Sequence, residues 1–65
     1  PPDAPVEDLA EFALWARGRL PASLAAVIPE LATCSPKRAS QIADMFGEEG
    51  WPWTAFRIRK IWIPT

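Results

Sequence analysis

The chain has 65 residues, of which 49% are hydrophobic and 11% aromatic, and its formal net charge is −1. This composition excludes a disordered tail, because such segments contain few aromatic residues and many charged ones. A chain of this length buries only about 60% of the surface that its unfolded form exposes, so its core has to be rich in large apolar groups. No apolar run approaches the ~20 residues of a membrane-spanning helix. We therefore predict one small domain with no membrane partner. Because the sequence starts at Pro1 without a methionine, we expect this domain to be excised from a larger protein.

Cys34 is the single cysteine, and the sequence contains no histidine. An intramolecular disulfide and a cysteine–histidine zinc site are therefore excluded, and we expect no metal and no cofactor. An unpaired cysteine is typical of a reducing compartment, which predicts a cytoplasmic location. Catalysis lacks its usual groups as well, since no histidine is present to activate a serine nucleophile. We expect neither enzymatic activity nor a small-molecule substrate.

The first helix is predicted over 5–17, after a proline-rich extended leader at 1–5. Apolar residues recur at helical spacing through this range. Glu7 and Asp8 place negative charge in the first turn, where the helix dipole favours it. Gly18 follows as a stop signal.

Two more helices are predicted in the middle of the chain. An apolar stripe at helical spacing predicts helix 2 over 21–32, and Pro29 is expected to kink this helix or to divide it. Ser35, followed directly by a proline, is a strong helix-start signal and predicts helix 3 over 36–46. Gly47 is expected to end that helix.

The last segment, 54–62, has two interpretations. Its periodicity favours a helix capped by Thr54, whereas its content of isoleucine, tryptophan and phenylalanine favours a short β-strand. We predict the helix and keep the strand as the alternative. The expected fold class is all-α, a compact bundle of three to four short helices.

The C-terminal half resembles the helix-turn-helix superfamily of DNA-binding domains. Residues 39–47 match the first helix of that motif, with a small residue at Ala43 and a glycine at Gly47. Residues 54–62 are similar to its second helix, the recognition helix. The connection from Gly47 to Trp53 is longer than the three or four residues that the family uses. A weaker similarity of residues 28–47 to the helix-hairpin-helix motif implies the same partner.

The resemblance implies duplex DNA as the partner and a role within a larger bacterial-type replication, transfer or regulatory protein. A recognition helix presents its N-terminal residues to base edges in the major groove, which implies base contacts by Thr54, Arg57 and Lys60. Phosphate contacts are implied for Arg59, Lys37 and Arg38.

Three tryptophans, Trp51, Trp53 and Trp62, cluster around the last element. Either they close the core or they leave an apolar patch, and exposed aromatic patches mark interaction sites. The second interpretation gives a rival function, a protein-docking or dimerisation module that uses a tryptophan-rich face.

Charge is distributed unevenly along the chain. Residues 1–16 carry four acids and no base, and residues 54–65 carry three bases and no acid. Either the two ends neutralise each other across the fold, or the basic end forms a surface for a partner.

Overall fold

The computed structural model describes residues 4–64, and within that range the chain is helical and contains no strand. Four α-helices and one 3-10 helix follow in order: α1 (Leu9–Ala16), α2 (Ala22–Ala25), the 3-10 helix (Ile28–Ala32), α3 (Pro36–Glu48) and α4 (Pro52–Trp62). The prediction of a mostly α-helical fold is confirmed. Pro1 and Pro2, the start of the predicted leader, lie outside the described residues.

Helix α1 begins four residues later than the prediction of 5–17. The Asp8 side chain accepts hydrogen bonds from the backbone N–H groups of Ala10 and Glu11, at 3.1 and 3.2 Å. Asp8 therefore caps the helix from outside and does not belong to its first turn. Residues 4–7 form an irregular segment whose Ala4 and Val6 side chains are buried.

Residues 21–32 form two short helical pieces and not one kinked helix. Helix α2 ends at Ala25, and the 3-10 helix contains Pro29 in its first turn. A proline has no backbone N–H and would interrupt the hydrogen bonds of a continuous helix. In the first turn of a helix the N–H groups have no partner within the helix, so a proline there costs no hydrogen bond.

Helices α3 and α4 form the most extensive helix pair. The Ser35 hydroxyl accepts a hydrogen bond from the Arg38 backbone N–H at 3.2 Å, as its predicted role as a cap requires. Helix α3 continues through Gly47 to Glu48, and the turn occurs at Gly50, where φ is +92°. The connection between the two helices is therefore only three residues long, shorter than the sequence suggested.

The strand alternative for the last segment is wrong. Residues 54–62 belong to α4, which begins at Pro52 and buries Thr54, Ala55 and Ile58 at helical spacing. Thr54 does not cap this helix, because it lies inside the first turns with only 4% of its surface exposed.

A chain of aromatic contacts connects the helices. The rings of Phe12 and Phe46, from α1 and α3, are both fully buried and their centroids lie 5.7 Å apart. Trp15 continues this cluster, and its ring centroid lies 5.1 Å from that of Trp51, with the two rings nearly perpendicular at an interplanar angle of 82°. Aromatic pairs in such geometry stabilise by about 0.5–1.5 kcal/mol beyond the burial of their surface. This cluster attaches the N-terminal half to the α3–α4 pair.

We expect opposite effects from alanine at two glycines of the α3–α4 connection. Gly47 is helical, and a Cβ there would meet the Ala55 Cβ at 3.9 Å, an ordinary contact. Gly47→Ala should therefore stabilise the fold by roughly 0.5–1 kcal/mol through helix propensity. Gly50→Ala should destabilise it by about 1 kcal/mol or more, because φ is positive there. Urea unfolding of both variants measures the difference, and equal effects would contradict this position of the turn.

Candidate docking surface on the last helix

One side of α4 faces away from the core. Trp53, Phe56 and Lys60 recur every three or four residues, so they share one side of the helix axis. We call these three residues the outer face of α4. Ile63 follows the end of the helix and is partly buried against the core. Trp53 and Phe56 are 54% and 46% exposed, whereas Ile58, on the opposite side, is fully buried. The outer face therefore presents large aromatic surface to the solvent.

A groove of about 270 Å³ lies along this face and is lined by Phe56, Arg59, Lys60 and Ile63. Two ring contacts hold its aromatic wall in place. Trp53 stacks on Phe56 with ring centroids 5.2 Å apart and planes 16° from parallel. The Lys60 ammonium lies 5.3 Å from the centre of the Phe56 ring, a cation–π contact. The groove combines an apolar floor with positive charge at its edge.

Arg57 has an internal role. Its guanidinium donates a hydrogen bond to the Ala4 carbonyl oxygen at 2.7 Å and forms an ion pair with Glu7. The side chain is only 20% exposed. The hydrogen bond from Arg57 is the main reason that the pKa of Glu7 lies below its usual 4.5. Arg57, which the sequence predicted to contact a DNA base, therefore binds the N-terminal segment to α4.

The other two arginines of the predicted DNA surface also have acidic partners. Arg59 pairs with Asp44 of α3. Arg38 donates to both carboxylate oxygens of Glu30, at 2.9 and 3.2 Å, and a further hydrogen bond reaches Gln41. The hydrogen bond from Arg38 lowers the pKa of Glu30 and raises the pKa of Arg38. These pairs join helices to each other and reduce the charge available to a phosphate.

The six residues nominated for DNA binding do not share one environment. Thr54 is buried, and the three arginines are in ion pairs. Lys37 and Lys60 are exposed and have no ion pair with any described residue. Of the six, Arg59 and Lys60 lie together, at the groove.

The three clustered tryptophans separate into two kinds. Trp51 and Trp62 are partly buried against the core, whereas Trp53 lies on the outer face. Leu14, Phe56 and Ile61 are the exposed large apolar residues that sequence reasoning did not nominate. Phe56 lies three residues after Trp53 and out of phase with Ile58, but this spacing alone does not decide which side of the helix is buried.

Residues 4–64 contain neither a cluster of metal-binding side chains nor a membrane-spanning helix. No three acidic, cysteine or histidine side chains in this range lie close enough together to hold a metal ion. None of the described helices has the length and apolar character to cross a membrane.

Comparison with known proteins adds no relative. No protein-family model, no curated protein and no solved structure matches this chain.

We expect the Glu7–Arg57 ion pair to make the free energy of unfolding depend on pH. Because folding lowers the pKa of Glu7, the pair stabilises the fold above the unfolded value of 4.5 and this stabilisation is lost as the pH falls through the folded value. Glu7→Gln should therefore lower stability at neutral pH and reduce its dependence on acid. Urea unfolding between about pH 7 and about pH 3 measures both effects.

Glu49→Gln is the matched control, because Glu49 is exposed and forms no ion pair with a described residue. Its acid dependence should follow that of the unmodified chain. An unchanged acid dependence in Glu7→Gln would contradict the role of the pair.

Proposed function

We propose that this domain is a docking or dimerisation module that binds a segment of a second protein chain on the outer face of α4. The observation that carries the proposal is the groove beside Phe56, where exposed aromatic surface meets two basic side chains. Exposed aromatic patches mark interaction sites, and aromatic anchors supply a large share of the binding energy at interfaces. The aromatic wall is already ordered by its stacked and cation–π contacts, so little side-chain entropy is lost on binding.

The chemistry of the groove selects the partner. Its floor suits an apolar anchor such as a leucine or a phenylalanine. The Lys60 ammonium at the edge has no acidic partner among the described residues, so it is available to a carboxylate of the incoming segment. We infer that the partner carries one apolar anchor with an acidic residue about one helical turn away. The free thiol of Cys34 supports placing this interaction in the cytoplasm.

Duplex DNA is the second candidate partner, and in this case the domain would be the DNA-binding part of a larger protein. The observation that favours it is the three-residue connection between α3 and α4, the length that helix-turn-helix domains use. Against it stand the internal ion pairs of Arg38, Arg57 and Arg59, each of which would have to be exchanged for a phosphate contact. The net charge of −1 adds no general attraction to DNA. Docking of a protein segment is therefore the better supported function.

We expect a synthetic helical peptide with one leucine, and one glutamate a turn before it, to bind the outer face of α4. NMR titration of the isotope-labelled domain should shift the backbone signals of Phe56, Lys60 and Ile63. Phe56→Asp should weaken binding by at least about tenfold, since it removes the anchor site.

Two controls accompany this titration. A peptide with lysine in place of its glutamate should bind more weakly, because it faces Lys60 with like charge. Ser23→Asp, which changes an exposed residue of α2, should bind the acidic peptide as the unmodified domain does. No shift at the outer face with any of these peptides would overturn the docking proposal.

The DNA alternative predicts a different response to salt. If the domain binds DNA through its exposed lysines, affinity should fall steeply between about 50 and 200 mM salt as counterions are released. Lys37→Ala/Lys60→Ala is the informative variant, because Arg57→Ala would also detach the N-terminal segment. Fluorescence anisotropy with a labelled duplex measures this binding, and absence of binding at low salt removes DNA as a partner of the isolated domain.

A further inference from the structure

We propose that the segment received by the outer face of α4 is helix α1 of a second copy of this chain. This inference rests on the proposed docking function and names its partner. Four large apolar side chains of the described residues are strongly exposed, and three of them, Trp53, Phe56 and Ile61, belong to α4. The fourth is Leu14 of α1, which is 56% exposed. The chain thus carries an apolar groove and, on a different helix, an apolar side chain suited to fill it.

Charge on the two surfaces is complementary as well. Glu11 lies one turn before Leu14 on the exposed side of α1, and it forms no ion pair with a described residue. Lys60 lies one turn after Phe56 on α4 and likewise has no acidic partner there. Residues one turn apart on a helix have Cβ atoms about 5–6 Å from each other, so both pairs have the same internal spacing.

One arrangement of the two helices satisfies both contacts at once. With α1 of one copy antiparallel to α4 of the next, Leu14 lies over Phe56 and Glu11 lies beside Lys60. In the same register Arg17, the residue that follows the end of α1, lies nearest to Trp53, whose exposed indole ring suits a cation–π contact. Three neighbouring contacts of different chemistry are therefore matched in order along the two helices.

The contact joins different surfaces of the two copies. A contact of this kind either closes into a small symmetric assembly or continues from copy to copy. In a continuing assembly, α1 of each copy binds the groove of one neighbour and α4 binds α1 of another. In a closed dimer, the two copies make both contacts with each other.

The test is sedimentation of the intact 65-residue chain at increasing concentration, with variants that disable one surface each. We expect the unmodified chain to associate, and Leu14→Asp and Phe56→Asp each to remain monomeric. An equimolar mixture of these two variants should form a heterodimer, because one supplies a working groove and the other a working α1. Both substitutions are at exposed positions, and circular dichroism checks that each variant is folded.

A charge exchange tests the register. Glu11→Lys and Lys60→Glu should each weaken association by about tenfold, and the two together in one chain should restore it. The α1–α4 contact would be overturned if the mixture forms no heterodimer, or if the double charge variant does not recover association. A chain that stays monomeric at millimolar concentration yet binds the acidic peptide would overturn this inference and leave the docking function standing. If the chain neither associates nor binds the acidic peptide, the α1–α4 contact and the docking function are both overturned.

Discussion

The contact between Phe12 and Phe46 joins the two halves of the domain, and the other elements are arranged around it. Both rings are fully buried, and complete burial of a phenylalanine contributes roughly 1.5–3 kcal/mol. The contact holds α1 against α3, which in turn pairs with α4. In a chain of 65 residues no second core is available to take over this role. One side of α4 is buried by this arrangement, and the outer face is what remains exposed.

The basic side chains of α3 and α4 fall into two groups, those that pair with an acid of the same chain and those that do not. Arg38, Arg57 and Arg59 each pair with an acid that is at least eight residues away in sequence, so they connect separate parts of the chain. In the pair of Glu7 and Arg57 the acidic end of the chain neutralises the basic end. On α4, the charge that remains for a partner is that of Lys60 beside the aromatic wall, an arrangement that suits an amphipathic segment better than a row of phosphates.

Local sequence signals predicted the elements well where the cause of the structure is local. Ser35 with the following proline predicted the start of α3, and Pro29 predicted the break in the second helical region. The role of Arg57 was not predictable in this way, because its partners, Ala4 and Glu7, are 53 and 50 residues distant. The exposure of Phe56 depends likewise on which side of α4 packs against α3. A hydrophobic pattern alone leaves that choice open, since apolar residues occur on both sides.

The buried segment before α1 bears on where the folding unit of this protein begins. Ala4 and Val6 belong to no helix, yet they are as deeply buried as the core of α3. A fragment cut at the cap of α1 would leave the Arg57 guanidinium without its carbonyl acceptor and would remove the Ala4 and Val6 side chains from the core. The minimal autonomous unit therefore includes the irregular residues from Ala4 onward, and any linker joining it to a preceding domain has to attach before that residue.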